Sequence, residues 1–462
     1  MERVSTGIIA FDQILGGGLP SGSTILITGC PGSGKTILAH QIMFNNASPE
    51  NKIIYLTTLA EPLIKVMKFQ NEFSYFDSDK FQKSVIYYDL GNIMRKQGTA
   101  QALLMIDELL KKHEPGMLII DTIKTFADIT QGITEFREFI LDLSLRLATW
   151  GCTTLLLGEY SEDDIEIRPE SAIADGIICL YGTEEKKYQK RYLRVLKMRG
   201  TDHISGETFF KITSNGLEIF PRLNPVINDQ VYAQLNERIS TGVDGLDSLM
   251  GGGIQRGTTT LVSGSAGIGK TFIALSFAMA GLNNGEKVVF VSFEENAEQI
   301  IHNFLNIGLD LRPFIQSGRL QFFHVSPIEL DVDEHIYLIQ NLVNASGAKR
   351  LVIDSISAFE IGMSDKIKYT DYVWALTDFF KTQGVSVLLT HEMQHYNATA
   401  ILTKHGISYV ADNLILMQFQ EEGLDLKRCL RVVKMRSSYH STESCELLIN
   451  QEGLKINMIP QA

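Results

Sequence analysis

The chain has 462 residues, 44% of them hydrophobic and 21% charged, which excludes a disordered chain, a class that needs low hydrophobicity and high net charge. Its 42 basic residues stand against 54 acidic ones, a net charge of −12, which speaks against nucleic acid as a non-specific ligand because such binding draws on clustered Lys and Arg. No apolar run approaches the length of a membrane span, the first residues lack the apolar segment of a signal peptide, and the five cysteines show no metal-ligand spacing, so a cytoplasmic protein with reduced thiols and no membrane contact is expected.

In chain order, residues 5–36 read STGIIAFDQILGGGLPSGSTILITGCPGSGKT. The run TILIT predicts a strand buried on both faces. After it, Gly29, Gly32, Ser33, Gly34, Lys35 and Thr36 fit the pattern G-x-x-x-x-G-K-[ST], and the stretch ILAHQIMFNN that follows predicts a helix. A phosphate-binding loop needs that context: glycines let successive backbone N–H groups turn inward, and the helix N-terminus adds a potential favourable to anions. Lys35 is expected to neutralise the β- and γ-phosphates of ATP and Thr36 to hold Mg²⁺. The next predicted strand, IIYLTT, runs to Thr58 and is followed by Leu59, Ala60 and Glu61. The apolar run MLIID ends in Asp121, placed to hold the metal through water. An amphipathic helix (EFREFILDLSLRLATWG) and a further strand (TTLLLG) follow.

From residue 240 the pattern starts again. Residues 240–271, STGVDGLDSLMGGGIQRGTTTLVSGSAGIGKT, match residues 5–36 at an offset of 235 without a gap. Ser5 pairs with Ser240, Asp12 with Asp247, and the second phosphate loop contains Gly264, Gly267, Ile268, Gly269, Lys270 and Thr271. Further on, Asp121 pairs with Asp354, Asp175 with Asp412, and Lys197-Met-Arg199 with Lys434-Met-Arg436. At about 150 residues per domain the length alone predicts three domains, but the repeat reduces them to two, 1–222 and 240–462, joined by a linker over 223–239. Strands alternating with helices predict an α/β fold with a mostly parallel sheet in each.

The copies differ where water would be activated. In the second, VVFVSF leads into Glu294 and Glu295, carboxylates at a strand end that can polarise an attacking water. The aligned positions of the first copy are Leu59 and Ala60. The expectation is a first domain that binds ATP and hydrolyses it slowly or not at all.

The opening S-T-G-x-x-x-[FL]-D-x-[IL]-[LM]-G-G-G, the phosphate loop, the Phe-Glu-Glu triplet and the two Lys-Met-Arg triplets together resemble the KaiC family of RecA-like ATPases, over nearly the whole chain. The resemblance implies two tandem RecA-like P-loop domains, a double-ring homohexamer, and ATP bound between neighbouring subunits. It also implies that Lys197, Arg199 and His203, and in the second ring Lys434, Arg436 and His440, reach the neighbour's nucleotide. The family's phosphorylation segment aligns with Gly406–Asp412, where Ser408 is a candidate acceptor for autophosphorylation while Tyr409 and Ala411 replace hydroxyl residues of the family pattern. The tail QEGLKINMIPQA is short compared with the clock protein's activator-binding peptide, so a signalling or timing switch is expected in place of a complete oscillator. Two other functions fit the same fold: a DNA-dependent motor of the RecA type, and a nucleotide-dependent scaffold whose first ring recruits a protein partner.

Overall fold

The computed structural model describes residues 2–58, 63–130, 132–165, 168–185, 188–223, 237–306, 308–326, 331–362, 366–393, 410–422, 425–436, 438–450 and 453–458. Leu59, Ala60, Glu61, Ser408 and Tyr409, and most of the expected linker, lie outside them. The chain divides into two compact units, Met1–Arg222 and Leu223–Ala462.

Each unit is built on a nine-stranded sheet. In the first, the parallel part runs Gly176–Glu185, Thr24–Thr28, Thr153–Gly158, Met117–Asp121, Ile53–Thr57, Val85–Asp89. Tyr188–Met198, Glu207–Thr213 and Gly216–Phe220 extend it antiparallel from the Gly176–Glu185 edge. The second unit repeats this order. Leu320–His324, Val288–Ser292, Arg350–Asp354, Ser386–Glu392, Thr259–Gly264 and Asn413–Glu422 run parallel, followed by three antiparallel strands. These are tandem RecA-like domains, with helices covering both faces of each parallel region.

The physics of burial explains the strands. Thr24–Thr28, Ile53–Thr57 and Thr153–Gly158 are buried at every residue, so they need no alternation of polar and apolar positions. The helix Ile133–Trp150 does show periodicity: Phe136, Phe139, Ile140, Leu143 and Leu147 form its buried face, each contributing ~2 kcal/mol by leaving water. It ends at Gly151, whose φ of 64° closes the helix with a bond from its N–H to the carbonyl of Leu147.

The repeated Ser-Thr-Gly and Asp of the opening motif have a structural role. Asp12 accepts from the Ser5 hydroxyl at 2.5 Å and from the Thr6 N–H and hydroxyl at 2.8 and 2.7 Å. Asp247 does the same for Ser240 and Thr241, at 2.6, 2.8 and 2.6 Å. The carboxylate ties the entry segment to the first short helix of each unit. Asp175 and Asp412 likewise accept from the N–H groups of Thr24 and Thr259, both at 3.0 Å, where the central strand begins.

Candidate functional site

The two phosphate loops sit at the C-terminal ends of Thr24–Thr28 and Thr259–Gly264, where a parallel sheet leaves room for a ligand. Gly34 and Gly269 cap the following helices with φ of 102° and 108°, a left-handed conformation that a side chain would strain. Lys35 and Lys270 stand at the first helical position and are buried. Lys35 Nζ donates to the carbonyls of Gly29 and Cys30 at 2.8 and 3.0 Å, and Lys270 Nζ to those of Gly264 and Ser265 at 3.0 and 2.9 Å. Burial pushes both amines down, while Glu159 and Asp121 oppose this at Lys35, and Glu392, Asp354 and Glu294 at Lys270.

Beside each loop lies the strand-end aspartate. Thr36 Oγ1 donates to Asp121 Oδ2 at 3.0 Å, which joins the loop hydroxyl and the carboxylate that sequence pairs for a metal. Among the described residues no cluster of three or more His, Cys, Asp or Glu is arranged to hold a metal. Mg²⁺ needs none, since it accepts one or two protein oxygens and takes phosphate and water for the rest; the hydroxyl–carboxylate pair Thr36–Asp121 is a donor set of that type.

A hydroxyl from a neighbouring strand supports each aspartate, and it comes from opposite sides in the two units. Tyr55, on the neighbouring strand Ile53–Thr57, donates to Asp121 Oδ2 at 2.6 Å. Thr390, on the other neighbour Ser386–Glu392, donates to Asp354 Oδ1. The reciprocal positions are apolar: Leu157 faces Asp121 in register, and Phe290 aligns with Tyr55. Burial pushes the Asp121 carboxyl up, opposed by the bonds from Tyr55 and Thr36 and by Lys35. Tyr55 is stacked between His40, centroids 4.8 Å apart, and Tyr87, 5.2 Å apart. These residues, with Thr36, Gln70 and Asp121, line a cavity of about 180 Å³. The aligned residues of the second unit, Leu275 and Phe322, are apolar.

The carboxylates after Val288–Ser292 separate. Glu294 is exposed yet within electrostatic reach of Lys270: partial desolvation pushes its carboxyl up, and Asp354 and Glu392 push it further, against the pull of Lys270. Glu295 turns to the next helix, accepting from Asn303 Nδ2 at 3.3 Å. Nothing in the sequence separates the two carboxylates, and the motifs read above do not include Glu392 or its counterpart Glu159. Their signal was available, since both follow the matched strands TTLLLG and VSVLLT by one or two residues at the offset that relates Asp121 to Asp354.

The Lys-Met-Arg triplets close the strands that run beside Gly176–Glu185 and Asn413–Glu422. Both pairings shift register, between Ile177 and Ile178 and between Leu414 and Ile415. The strands end at Met198 and Met435, so Arg199 and Arg436 lie just beyond them. Lys197 Nζ donates to the carbonyl of Ser171 at 3.4 Å and Lys434 Nζ to that of Ala411 at 2.8 Å. Arg199 pairs with Asp175 at 3.1 Å and Arg436 with Asp412 at 3.6 Å, their side chains 61% and 50% exposed. His203 and His440 are half-buried in the segments that follow.

Among the described residues no helix is long and apolar enough to cross a membrane, and all five cysteines are free. The family model described as "ATPase: KaiC" matches residues 4–224 and again 239–461. The chain is 27% identical to the circadian clock protein KaiC3 of Synechocystis sp., over 99% of this chain and 92% of that protein. It is 27% identical to the circadian clock oscillator protein KaiC of Parathermosynechococcus lividus, covering 99% of this chain and 85% of the relative. The KaiC of Prochlorococcus marinus is 26% identical, with 99% and 93% covered. A family model that spans both units, over two matching phosphate loops and strand-end aspartates, places the chain in the KaiC family of ATPases.

Proposed function

We propose that the chain is a cytoplasmic ATP-driven switch in which both units bind ATP with Mg²⁺ and the second hydrolyses it. The asymmetry between two otherwise matching loops carries this reading. Beside Lys270, Glu294 has a carboxyl pushed up from its ordinary range, as suits a group that takes a proton from water. The aligned residues of the first unit, Leu59 and Ala60, can take none.

Bound Mg²⁺ would neutralise charge on the phosphate oxygens. The chain's own residues do the remaining work. Backbone N–H groups of Gly29, Gly32, Ser33 and Gly34, and of Gly264, Gly267, Ile268 and Gly269, wrap the phosphates. Lys35 and Lys270 exchange loop carbonyls for phosphate oxygens. Thr36 and Thr271 would offer hydroxyls to the cation, and Asp121 and Asp354 would help to hold it. Glu294 orients and deprotonates the attacking water. Steady-state turnover of Lys35→Ala and Lys270→Ala chains tests the assignment: Lys270→Ala abolishes hydrolysis and Lys35→Ala leaves most of it. Loss of turnover in Lys35→Ala alone overturns it.

The working form in this reading is a homohexamer. Exposed Arg199 and Arg436, held by Asp175 and Asp412, act with Lys197, His203, Lys434 and His440 on the nucleotide of the neighbouring subunit, as charge donors. Native mass spectrometry with ATP reads six subunits and two nucleotides per chain if this is right, and a monomer in ATP if it is wrong. Ser408 is the acceptor for autophosphorylation; mass spectrometry after incubation with ATP finds phosphate within residues 400–412 or refutes it.

A further inference from the structure

The surroundings of the two loop lysines differ in charge. The carboxylates acting on Lys35 are Asp121 and Glu159, and Glu159 has its own cation: Lys124 Nζ lies 4.0 Å from Glu159 Oε2. Lys124 opens the helix Lys124–Ile129, just past Asp121, so among the described residues the first site sets Lys35 and Lys124 against Asp121 and Glu159. In addition, Thr36 and Tyr55 both donate to Asp121 Oδ2, which satisfies that oxygen with protein hydroxyls alone.

In the second unit the residue aligned with Lys124 is Ser357. Its Oγ accepts the N–H of Glu392 at 2.8 Å, so it caps the strand end and leaves the carboxylate charge in place. Among the described residues, Lys270 therefore faces Glu294, Asp354 and Glu392 with no second lysine or arginine paired to them. A nucleotide adds several negative charges. Brought into a site with excess carboxylates it meets repulsion that only a cation can relieve, whereas a balanced site already holds the charge it needs.

We propose that the first unit, though it accepts a divalent cation, does not require one to bind nucleotide, that the second does require one, and that Lys124 is the residue that sets the difference. The inference rests on the reading that both units bind nucleotide. It makes the first site a persistent nucleotide holder and the second a site gated by free Mg²⁺. It needs no difference in fold between the units, only the exchange of Lys for Ser at one helix start and of Leu59 and Ala60 for carboxylates.

The test is equilibrium binding of a fluorescent ADP to the full chain, with Mg²⁺ or with EDTA. Lys270→Ala reports the first site and Lys35→Ala the second. Removing Mg²⁺ is expected to weaken binding less than about 3-fold in Lys270→Ala and more than roughly 30-fold in Lys35→Ala. Adding Lys124→Ser to Lys270→Ala introduces a Mg²⁺ requirement of about 10-fold, while circular dichroism and affinity in Mg²⁺ stay unchanged. Equal losses at the two sites overturn the inference and leave the nucleotide reading standing. Absence of binding in Mg²⁺ at either site overturns both. A Lys124→Ser chain that binds equally with and without Mg²⁺ removes Lys124 from the account.

Discussion

Tyr55 donates its hydroxyl to Asp121 Oδ2 at 2.6 Å from the strand on one side of the aspartate, and Thr390 supports Asp354 from the strand on the other side. One need, a donor for a carboxylate in poorly hydrated surroundings, is met in two ways within one chain. The exchange is compensated, because Leu157 and Phe290 occupy the positions that the other unit uses.

Tyr55→Phe removes a hydrogen bond to a charged acceptor while keeping the ring stack with His40 and Tyr87. The first unit is expected to lose about 1.5 kcal/mol of stability, read as an earlier midpoint in urea with an unchanged slope. An unchanged midpoint would mean that the hydroxyl does nothing for Asp121.

His40 gives the first unit a sensitivity to acid. It is buried, its Nδ1 has no hydrogen-bond partner among the described residues, and burial pushes its pKa down to about 3. The unfolded chain binds this proton near pH 6.5, so the stability held above pH 6.5 falls progressively as the pH drops toward 3, by about 2 kcal/mol at pH 5. His40→Leu, which installs the residue found at the aligned position 275, should flatten the pH dependence of the first unit's melting between pH 7 and 5. Parallel curves for the two chains would contradict this.

Arg350 is fully buried and bound to Glu286 at 2.6 Å, with further bonds to the carbonyls of Ser240 and Phe277. Removing Glu286 strands this cation, so Glu286→Ala is expected to cost the second unit about 3–5 kcal/mol. The first unit solves the same position with Met117 and Asn51. Replacing both partners, Arg350→Met with Glu286→Asn, should therefore recover most of the loss in chemical denaturation; a double variant as unstable as the single one contradicts the argument.

Much of this architecture was readable in the chain. Strands packed on both faces, such as Thr24–Thr28 and Met117–Asp121, carry unbroken apolar runs over 25–27 and 117–120, and a phosphate loop must place glycine where φ is positive, as at Gly34 and Gly269. The pairing of Thr36 with Asp121 followed from the same logic. Contacts made between neighbouring strands were not readable. Tyr55 lies two residues before its strand's end and reaches a carboxylate on another strand, so nothing local marks it as polar support. Glu294 and Glu295 are adjacent in sequence, and only the turn after Ser292 sends one toward Lys270 and the other toward Asn303. Lys124 reads as an ordinary helix-start residue until the fold sets Glu159 beside it.

The central claim is that the second unit hydrolyses ATP through Glu294. The most direct measurement compares single-turnover hydrolysis in Glu294→Gln and Glu295→Gln chains under saturating Mg²⁺ and ATP. The account predicts a fall of about 100-fold or more in the rate for Glu294→Gln with nucleotide affinity retained, and a change of no more than about 5-fold for Glu295→Gln. A Glu294→Gln chain that hydrolyses at the parent rate, or a Glu295→Gln chain that alone loses turnover, contradicts it.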